Sequence, residues 1–213
     1  MAYDTAAACR QFDRWSDRYD RDVLQRLFFL PSHRMLLAAL RHDERRILDI
    51  GCGTGRFAIE VLRRYPDAQV FGLDLSSRML DQCWQRFQEA GGSLQLVRGD
   101  SERLPFGDNS FDVVTCSHSF HHYPSQSRVL SEMYRVLKPG GRLMIIDGDR
   151  DRWWGRFLFD GIVVFLEGPV HHLSSRAFRS LYRQFGFEDI SQKRRRGLLP
   201  FLMTVGRAAK LSG

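Results

Sequence analysis

The stretch at residues 47–58 constrains the fold of this chain more than any other. It reads Ile-Leu-Asp-Ile-Gly-Cys-Gly-Thr-Gly-Arg-Phe-Ala, so four residues of strand character lead into glycines at 51, 53 and 55. Apolar residues then recur at three- and four-residue steps, as on one face of a helix. Glycine lets the backbone approach a ligand closely, and a helix N-terminus offers free N–H groups. The stretch therefore predicts a strand–turn–helix corner that binds a nucleotide.

The glycine spacing restricts which nucleotide is expected. The dinucleotide fingerprint is Gly-x-Gly-x-x-Gly, and its third glycine allows close packing beneath a pyrophosphate. Arg56 stands at that position here, and the third glycine comes one residue earlier, at Gly55. A phosphate-binding P-loop needs Gly-Lys-Ser/Thr, which does not follow these glycines. A pyrophosphate ligand is therefore disfavoured.

Strand and helix patterns alternate along the rest of the chain. Apolar strands are expected at 70–73, 94–98, 113–116 and 142–146, with amphipathic helices after the first and the third of them. After a further helix that opens at 174–175, residues 187–192 and 201–206 read as a closing antiparallel hairpin. This alternation predicts an α/β fold with a largely parallel sheet.

Three motifs carry a resemblance to a known family. Asp-x-Gly-x-Gly-x-Gly at 49–55 resembles motif I of the class I S-adenosylmethionine (SAM) methyltransferases. Residues 99–112 are similar to that family's Gly-Asp-Ala-x-x-Leu-Pro-Phe-x-Asp-x-Ser-Phe-Asp run, and 134–141 resemble its Arg-Val-Leu-Lys-Pro-Gly-Gly signature. Between 47 and 147 the chain is thus similar to the type 11, ubiquinone/menaquinone-methylase-like group.

The resemblance implies a Rossmann-like, seven-stranded sheet in the order 3-2-1-4-5-7-6. The last strand is expected to be antiparallel, with helices on both faces. We expect one domain over 1–213, made of a helical cap (1–43), a SAM-binding core (44–148), a lid-like insertion (149–173) and a closing helix and hairpin (174–213). Within the cap, Pro31 is expected to break the apolar stretch at 23–40.

The resemblance also implies SAM as the cofactor. Asp49 and Gly51 would face the methionine part, Asp74 at the end of the second strand would hold the ribose hydroxyls, and Asp100 would bind the adenine amino group. Met79 also fits a core position on its helix. The complete candidate set is Tyr19, Asp49, Gly51, Cys52, Gly53, Gly55, Asp74, Leu75, Met79, Asp100, Ser101 and Ser117.

Histidines cluster after the fourth strand, where ligands of open parallel sheets bind. The methyl group of SAM is already activated, so the enzyme mainly aligns the acceptor and excludes water. A hydroxyl acceptor would also be helped by a base with a pKa near neutral. The candidates are His118, His121 and His122, with His171 and His172 from the insertion; capping or surface roles are the alternative.

A metal site was weighed against these histidine roles. Asp147, Asp149 and Asp151 follow the fifth strand, and magnesium prefers such oxygen ligands. Acids that alternate with arginines, as at 149–152, are more typical of a solvated loop. The sequence therefore favours a site without metal.

The insertion is rich in large apolar side chains, which suggests an acceptor pocket. We expect it to roof this pocket together with the cap, with Phe120, Trp153, Phe157 and Phe165 among the lining residues. Such walls suit a small, largely apolar or aromatic acceptor, whether methylated on oxygen, nitrogen or carbon. A polyanionic RNA would instead need arginines around an open groove.

Composition leaves two other functions open. The net charge of +7 and the basic run at 193–196 would also suit a tRNA- or RNA-modifying methyltransferase. A SAM-binding module without catalysis is the other alternative, and the oligomeric state is open. The four cysteines have no paired Cys-x-x-Cys, and no uncharged run could span a bilayer, so a cytoplasmic protein with reduced thiols is expected.

Overall fold

The computed structural model describes residues 23–88, 93–151, 153–157, 159, 170–195 and 200–210. Side chains are described from residue 29 onward within these ranges, except at 156 and 157. Tyr19 and Phe165, as well as most of the predicted cap and lid, lie outside the described residues. The predicted boundaries of the domain and its parts therefore stay predictions.

Seven strands form one sheet in the order β3-β2-β1-β4-β5-β7-β6. The last strand runs antiparallel to both of its neighbours, and the pairs β1–β2, β2–β3 and β4–β5 are parallel. This confirms the predicted strand order. The strands are β1 (Arg46–Ile50), β2 (Gln69–Asp74), β3 (Ser93–Arg98), β4 (Phe111–Ser117), β5 (Leu137–Gly148), β6 (Phe187–Arg195) and β7 (Phe201–Ala208).

Helices follow β1, β2, β4 and β5, whereas β3 and β4 are joined by a loop without a helix. Their amphipathic faces point inward, as on α2, where Phe57, Ala58 and Val61 are buried. The described helices are α1 (Val23–Ala39), α2 (Arg56–Arg64), α3 (Ser77–Gln88), α4 (Gln126–Val136), α5 (Trp153–Phe157) and α6 (Ser175–Gln184), and a 3-10 turn spans Phe120–His122.

The first helix corrects one expectation, because α1 continues through Pro31 instead of breaking there. Proline removes one helical N–H and crowds the preceding turn. After Pro31, however, Ser32, His33 and Leu36 are all buried. The Ser32 hydroxyl also donates to the Phe29 carbonyl at 2.9 Å. Packing of this buried face outweighs the tendency of Pro31 to break the helix.

The chain divides into two compact units between Pro105 and Phe106. The first contains β1, β2 and β3 in parallel register, with Ile47 opposite Val70 and Leu48 opposite Phe71. The interior residues of β1 are at most 3% exposed. A strand buried in this way matches the near-continuous apolar run expected in a parallel sheet.

The second unit contains β4 to β7 and the helices after Pro105. Its β6–β7 hairpin packs against α6 through Tyr182, which is fully buried and donates its hydroxyl to the Thr204 carbonyl at 3.2 Å. A Cβ on Gly206 would lie only 2.5 Å from the Tyr182 ring. Ser174 caps α6 by accepting from the Ala177 N–H, which confirms the predicted helix start.

Two expectations from the sequence concern membrane-spanning helices and the state of the cysteines. Among the residues that the structure describes, no helix is both long and apolar enough to cross a membrane. Cys52, Cys83 and Cys116 are buried thiols that form no disulfide within the described residues. Cys9 lies outside the described residues.

The turn into α2 depends on Gly55. Its φ is +74°, a left-handed conformation that side chains with a Cβ disfavour. A Cβ built there would lie 2.1 Å from the Cys83 sulfur on α3. Gly55 therefore serves both the turn and the close packing of two helices in the first unit.

We predict that Gly55→Ala lowers the free energy of unfolding by about 2–4 kcal/mol, the sum of left-handed strain and overpacking. Gly107→Ala is the matched control, because its Cβ would meet only the Ser110 hydroxyl at 3.6 Å. That control should change stability by less than about 0.5 kcal/mol in urea unfolding. Adding Cys83→Ala should recover the packing part of the loss; no recovery would contradict the steric explanation.

Candidate cofactor-binding and catalytic sites

The glycine loop after β1 has the conformation that its sequence predicts. Gly51, Gly53 and Gly55 all have left-handed φ values, of 68°, 52° and 74°. The N–H groups of Gly51 and Cys52 both donate to the Leu73 carbonyl, at 2.8 and 3.1 Å. The loop is thereby tied to the end of β2, and its bare backbone is held in one shape.

Asp74 holds the same loop from the other side. One of its carboxylate oxygens accepts from the Gly53 N–H at 2.8 Å, and the other accepts from the Ser76 N–H at 2.9 Å. Ser76 itself caps α3 by accepting from the Met79 N–H. The sequence assigned ligand binding to Asp74, and the structure adds a positioning contact between Asp74 and the glycines.

Cys52 and Met79 lie in the interior of the first unit. A Cβ on Gly72 would be 2.9 Å from the Cys52 sulfur, so that sulfur fills the space beside β2. A hydrogen bond that the thiol makes to Cys83, burial, and the nearby Asp74 and Asp49 raise the pKa of Cys52 well above its usual value. The thiol therefore stays protonated and acts as a packing group rather than a nucleophile.

The loop after β3 joins the same end of the first unit. Gly99 donates its N–H to the Asp74 carbonyl at 3.0 Å. Asp100 is exposed and accepts from the Glu102 N–H at 2.9 Å, while Ser101 is buried. The loops after β1, β2 and β3 are therefore connected through hydrogen bonds at Asp74.

In the second unit, two residues at the end of β4, Ser117 and the following His118, are unusual. The Ser117 hydroxyl is buried and has no hydrogen-bond partner within the described part of the chain. His118 has a φ of 53°, rare for a residue with a side chain, and its N–H donates to the Ile146 carbonyl at 2.9 Å. Its ring packs edge-on against Phe201 at 4.7 Å. Strained residues of this kind are concentrated at functional sites.

A buried polar cluster joins β4, β5 and the end of the insertion. The Nδ1 atoms of His121 and His172 lie 2.7 and 3.4 Å from one carboxylate oxygen of Asp147. The side chains of all three residues are at most 6% exposed. Asp147 also accepts from the N–H groups of His121 and Gly148, at 3.1 and 2.8 Å. The sequence named these residues but gave no signal that His121 and His172, 51 positions apart, would share one carboxylate.

Two opposing effects act on the Asp147 carboxyl. Burial disfavours its charge, but the charge and hydrogen bond of His121, together with the adjacent His172, hold its pKa well below the usual value. Asp147 is therefore an anion in the interior of the second unit. Such a buried anion needs polar or cationic neighbours on several sides.

Asp149 and Asp151 contact an arginine that the sequence analysis had assigned to a basic cluster. Arg194 on β6 lies 3.2 Å from a carboxylate oxygen of the buried Asp149 and also bonds Asp151 and the Ser175 hydroxyl. The neighbouring Arg195 lies over the Phe201 ring, 5.7 Å from its centre. Part of the run at 193–196 therefore has a structural role. The pairing joins residues 43 positions apart, so no local spacing reveals it.

The residues predicted to line the acceptor pocket differ in their exposure to solvent. Phe120 is fully buried, 5.6 Å from the Phe178 ring, and Trp153 is 81% exposed. The Phe157 side chain and all of Phe165 are outside the described residues. His122 is half-buried, with its ring 4.1 Å from that of His121. The role of each in acceptor binding stays a prediction.

We predict that Arg194→Gln lowers the free energy of unfolding by about 1–3 kcal/mol, because it leaves the buried Asp149 carboxylate without its cation. Lys193→Gln is the control, since this neighbouring cation on the same strand is exposed. Chemical denaturation compares the two. Adding Asp149→Asn to Arg194→Gln should restore part of the loss, and equal effects of the two single variants would contradict the assignment.

Comparisons with known proteins agree with this geometry. A family model described as a methyltransferase domain matches residues 48–145. Demethylmenaquinone methyltransferase from Deinococcus radiodurans is 43% identical over 146 residues, which are 66% of this chain and 60% of that protein. The ubiquinone/menaquinone biosynthesis C-methyltransferase of Desulfotalea psychrophila is 43% identical over 102 residues, 48% of this chain and 41% of that protein.

Solved structures share the fold over nearly the whole chain. A SAM-dependent methyltransferase from Thermotoga maritima, described as a possible histamine N-methyltransferase, has a TM-score of 0.74 at 25% identity. The match covers 94% of this chain and 99% of that one. Magnesium protoporphyrin IX methyltransferase from Synechocystis has a TM-score of 0.76 at 20% identity, covering 94% and 95%.

The chain spans about three fifths of the length of the demethylmenaquinone methyltransferases that it matches. The matched region contains the glycine loop, Asp74, Asp100 and the Lys-Pro-Gly-Gly run that carried the resemblance. With the confirmed strand order, these findings show that residues 48–145 of the chain are similar to the methyltransferase domain of the type 11, class I SAM-dependent family.

Proposed function

We propose that this chain transfers a methyl group from SAM to a small, largely apolar or aromatic acceptor. The observation that carries the proposal is the left-handed glycine loop held to β2 by Asp74. Bare backbone at this corner admits a polar cofactor, and a carboxylate offers about four acceptor positions to its hydroxyl groups. The proposed contacts are those predicted from the sequence, with Asp74 at the ribose and Asp100 at the adenine.

The names of the relatives suggest the class of acceptor. Demethylmenaquinone methyltransferases act on a quinone-type ring, so we propose a hydroxylated aromatic ring of this kind. Methylation at a ring carbon forms a C–C bond, breaks the S–CH₃ bond and finally releases a ring proton. Loss of the hydroxyl proton makes the ring more nucleophilic, so a positioned base would accelerate the step.

We propose His118 as the residue that accepts the acceptor's proton. It follows β4 directly, its ring is half-buried, and its backbone has the left-handed conformation that is concentrated at functional sites. His121 and His122, the other predicted candidates, lie in the buried cluster around Asp147 or against it. Ser117 keeps its predicted role as a ligand contact, supported by its unsatisfied hydroxyl.

A cytoplasmic location belongs to the same proposal and is supported by the three buried thiols, which form no disulfide in the part of the chain that the structure describes. An RNA-modifying enzyme and a non-catalytic SAM-binding protein remain as outcomes of the experiments below. The commitment of Arg194 to two carboxylates reduces the basic surface available to an RNA.

The cofactor assignment predicts that Asp74→Asn weakens SAM binding about tenfold or more, because a hydrogen bond to a charged group contributes about 1.5–3 kcal/mol. Asp67→Asn is the matched control, an exposed aspartate that pairs with Arg45 at 3.2 Å. Calorimetric titration with SAM measures both, alongside the unfolding curve of each variant. Unchanged SAM affinity in a folded Asp74→Asn protein would refute the assignment.

The acceptor assignment predicts label transfer from methyl-labelled SAM to a demethylated naphthoquinol, but not to total RNA. His118→Asn should lower kcat about a hundredfold while SAM affinity is kept, because asparagine tolerates the left-handed backbone. Phe157→Asp should abolish transfer with SAM still bound, and Phe157→Leu should retain it. Label in RNA would favour the RNA-modifying alternative, and SAM binding without any product would favour the binding module.

A further inference from the structure

His121, Asp147 and His172 form a set of three potential metal ligands in the second unit. One ligand atom from each residue lies within 4.8 Å of the others, and all three residues are buried. Two imidazole nitrogens and one carboxylate oxygen suit a borderline divalent ion such as Zn²⁺. Of the aspartates at 147, 149 and 151 that follow β5, the latter two are bonded to Arg194, which leaves Asp147 for a metal ion.

His172 is the observation that distinguishes this cluster from an ordinary hydrogen-bonded one. Its side chain is 2% exposed, yet neither ring nitrogen has a hydrogen-bond partner within the described residues. Phe159 packs on its ring with the centroids 4.9 Å apart, and the His121 ring lies 4.2 Å away on a plane tilted by 30°. Buried polar atoms without partners are rare in proteins, so such a group indicates a missing ligand.

The ligand atoms lie within 4.8 Å of one another, so small side-chain shifts would bring them to the spacing of a tetrahedral ion. Ligand atoms about 2.0–2.1 Å from zinc are about 3.4 Å apart in a regular tetrahedron. His172 Nδ1 already lies 3.4 Å from the Asp147 oxygen. His121 Nδ1, at 2.7 Å, would have to move outward by about 0.7 Å as it exchanges its proton for the ion.

The backbone around the three ligands holds them in place. Asp147 accepts from the N–H groups of His121 and Gly148, which orients its carboxylate. The His171 N–H donates to the His121 carbonyl at 2.8 Å, and Arg150 donates to the His172 carbonyl at 3.1 Å. Contacts of this kind orient the residues that bind the metal directly in metalloproteins.

We propose that His121, Asp147 and His172 bind one divalent ion of the zinc class, with a water molecule or a further ligand completing the tetrahedron. The ion would fasten the residues after the insertion to the 3-10 turn that follows β4. This site is independent of the methyl-transfer proposal, because its ligands serve no step of that mechanism. A Zn²⁺ ion would also supply charge to balance the buried Asp147 anion.

The test uses the full chain, free of any affinity tag, stripped with a chelator and titrated with Zn²⁺. We expect one ion per chain by elemental analysis and a rise in Tm of about 5–10 °C at a hundredfold excess over Kd. Co²⁺ should give visible absorption bands that Zn²⁺ abolishes. A stripped protein that takes up no ion, with unchanged Tm, would overturn the proposal and leave a hydrogen-bonded cluster.

Two variants test whether His172 is a ligand of the ion. His172→Gln should weaken Zn²⁺ binding about a hundredfold or more, whereas His171→Gln should not, because His171 is exposed and contributes only its backbone N–H and carbonyl to the contacts described. Equal loss or equal retention of zinc in the two variants would overturn the ligand assignment. SAM titration of both proteins separates this outcome from failure of the cofactor proposal. If His172→Gln does not fold, the cobalt bands of the unaltered chain decide the question.

Discussion

The hydrogen bond from the Gly53 N–H to Asp74 connects the glycine loop after β1 to the end of β2, and the first unit depends on this connection. A loop of left-handed glycines has many alternative shapes in the unfolded chain, so its ordering costs entropy. The carboxylate at the end of β2 and the Leu73 carbonyl both bind this loop, which selects one shape. The N-terminus of α2 then starts from a fixed position, with Gly55 in contact with the Cys83 sulfur.

Much of this could be read from the sequence, because the signals are local. The alternate glycines, the strand of buried apolar residues before them and the Ser174 cap each act over a few positions, and all three are as predicted. The strand order followed from the alternation of elements together with the family resemblance. Where a local rule failed, as at Pro31, burial of the residues that follow it accounts for the difference.

The polar contacts of the second unit were not foreseeable in the same way. Arg194 looked like part of a solvated basic run, and its pairing with Asp149 joins residues 45 positions apart. His172 and Asp147 are likewise distant in the chain and are brought together by the tertiary fold. Periodicity reports which face of an element is buried, but it carries no information on which polar side chains will share a carboxylate.

The anchoring of the residues on either side of 160–169 has a consequence for how such enzymes diversify. Phe159 rests on Gly148, where a Cβ would lie 2.6 Å from its ring. At the other end, the Gln126 amide donates to the carbonyls of Phe120 and His171, at 3.2 and 2.7 Å. Because both flanks are bound to the sheet and its turn, we expect insertions and replacements between them to leave the folded core intact. Under the proposed function, such changes would alter the acceptor while the residues around Asp74 are kept.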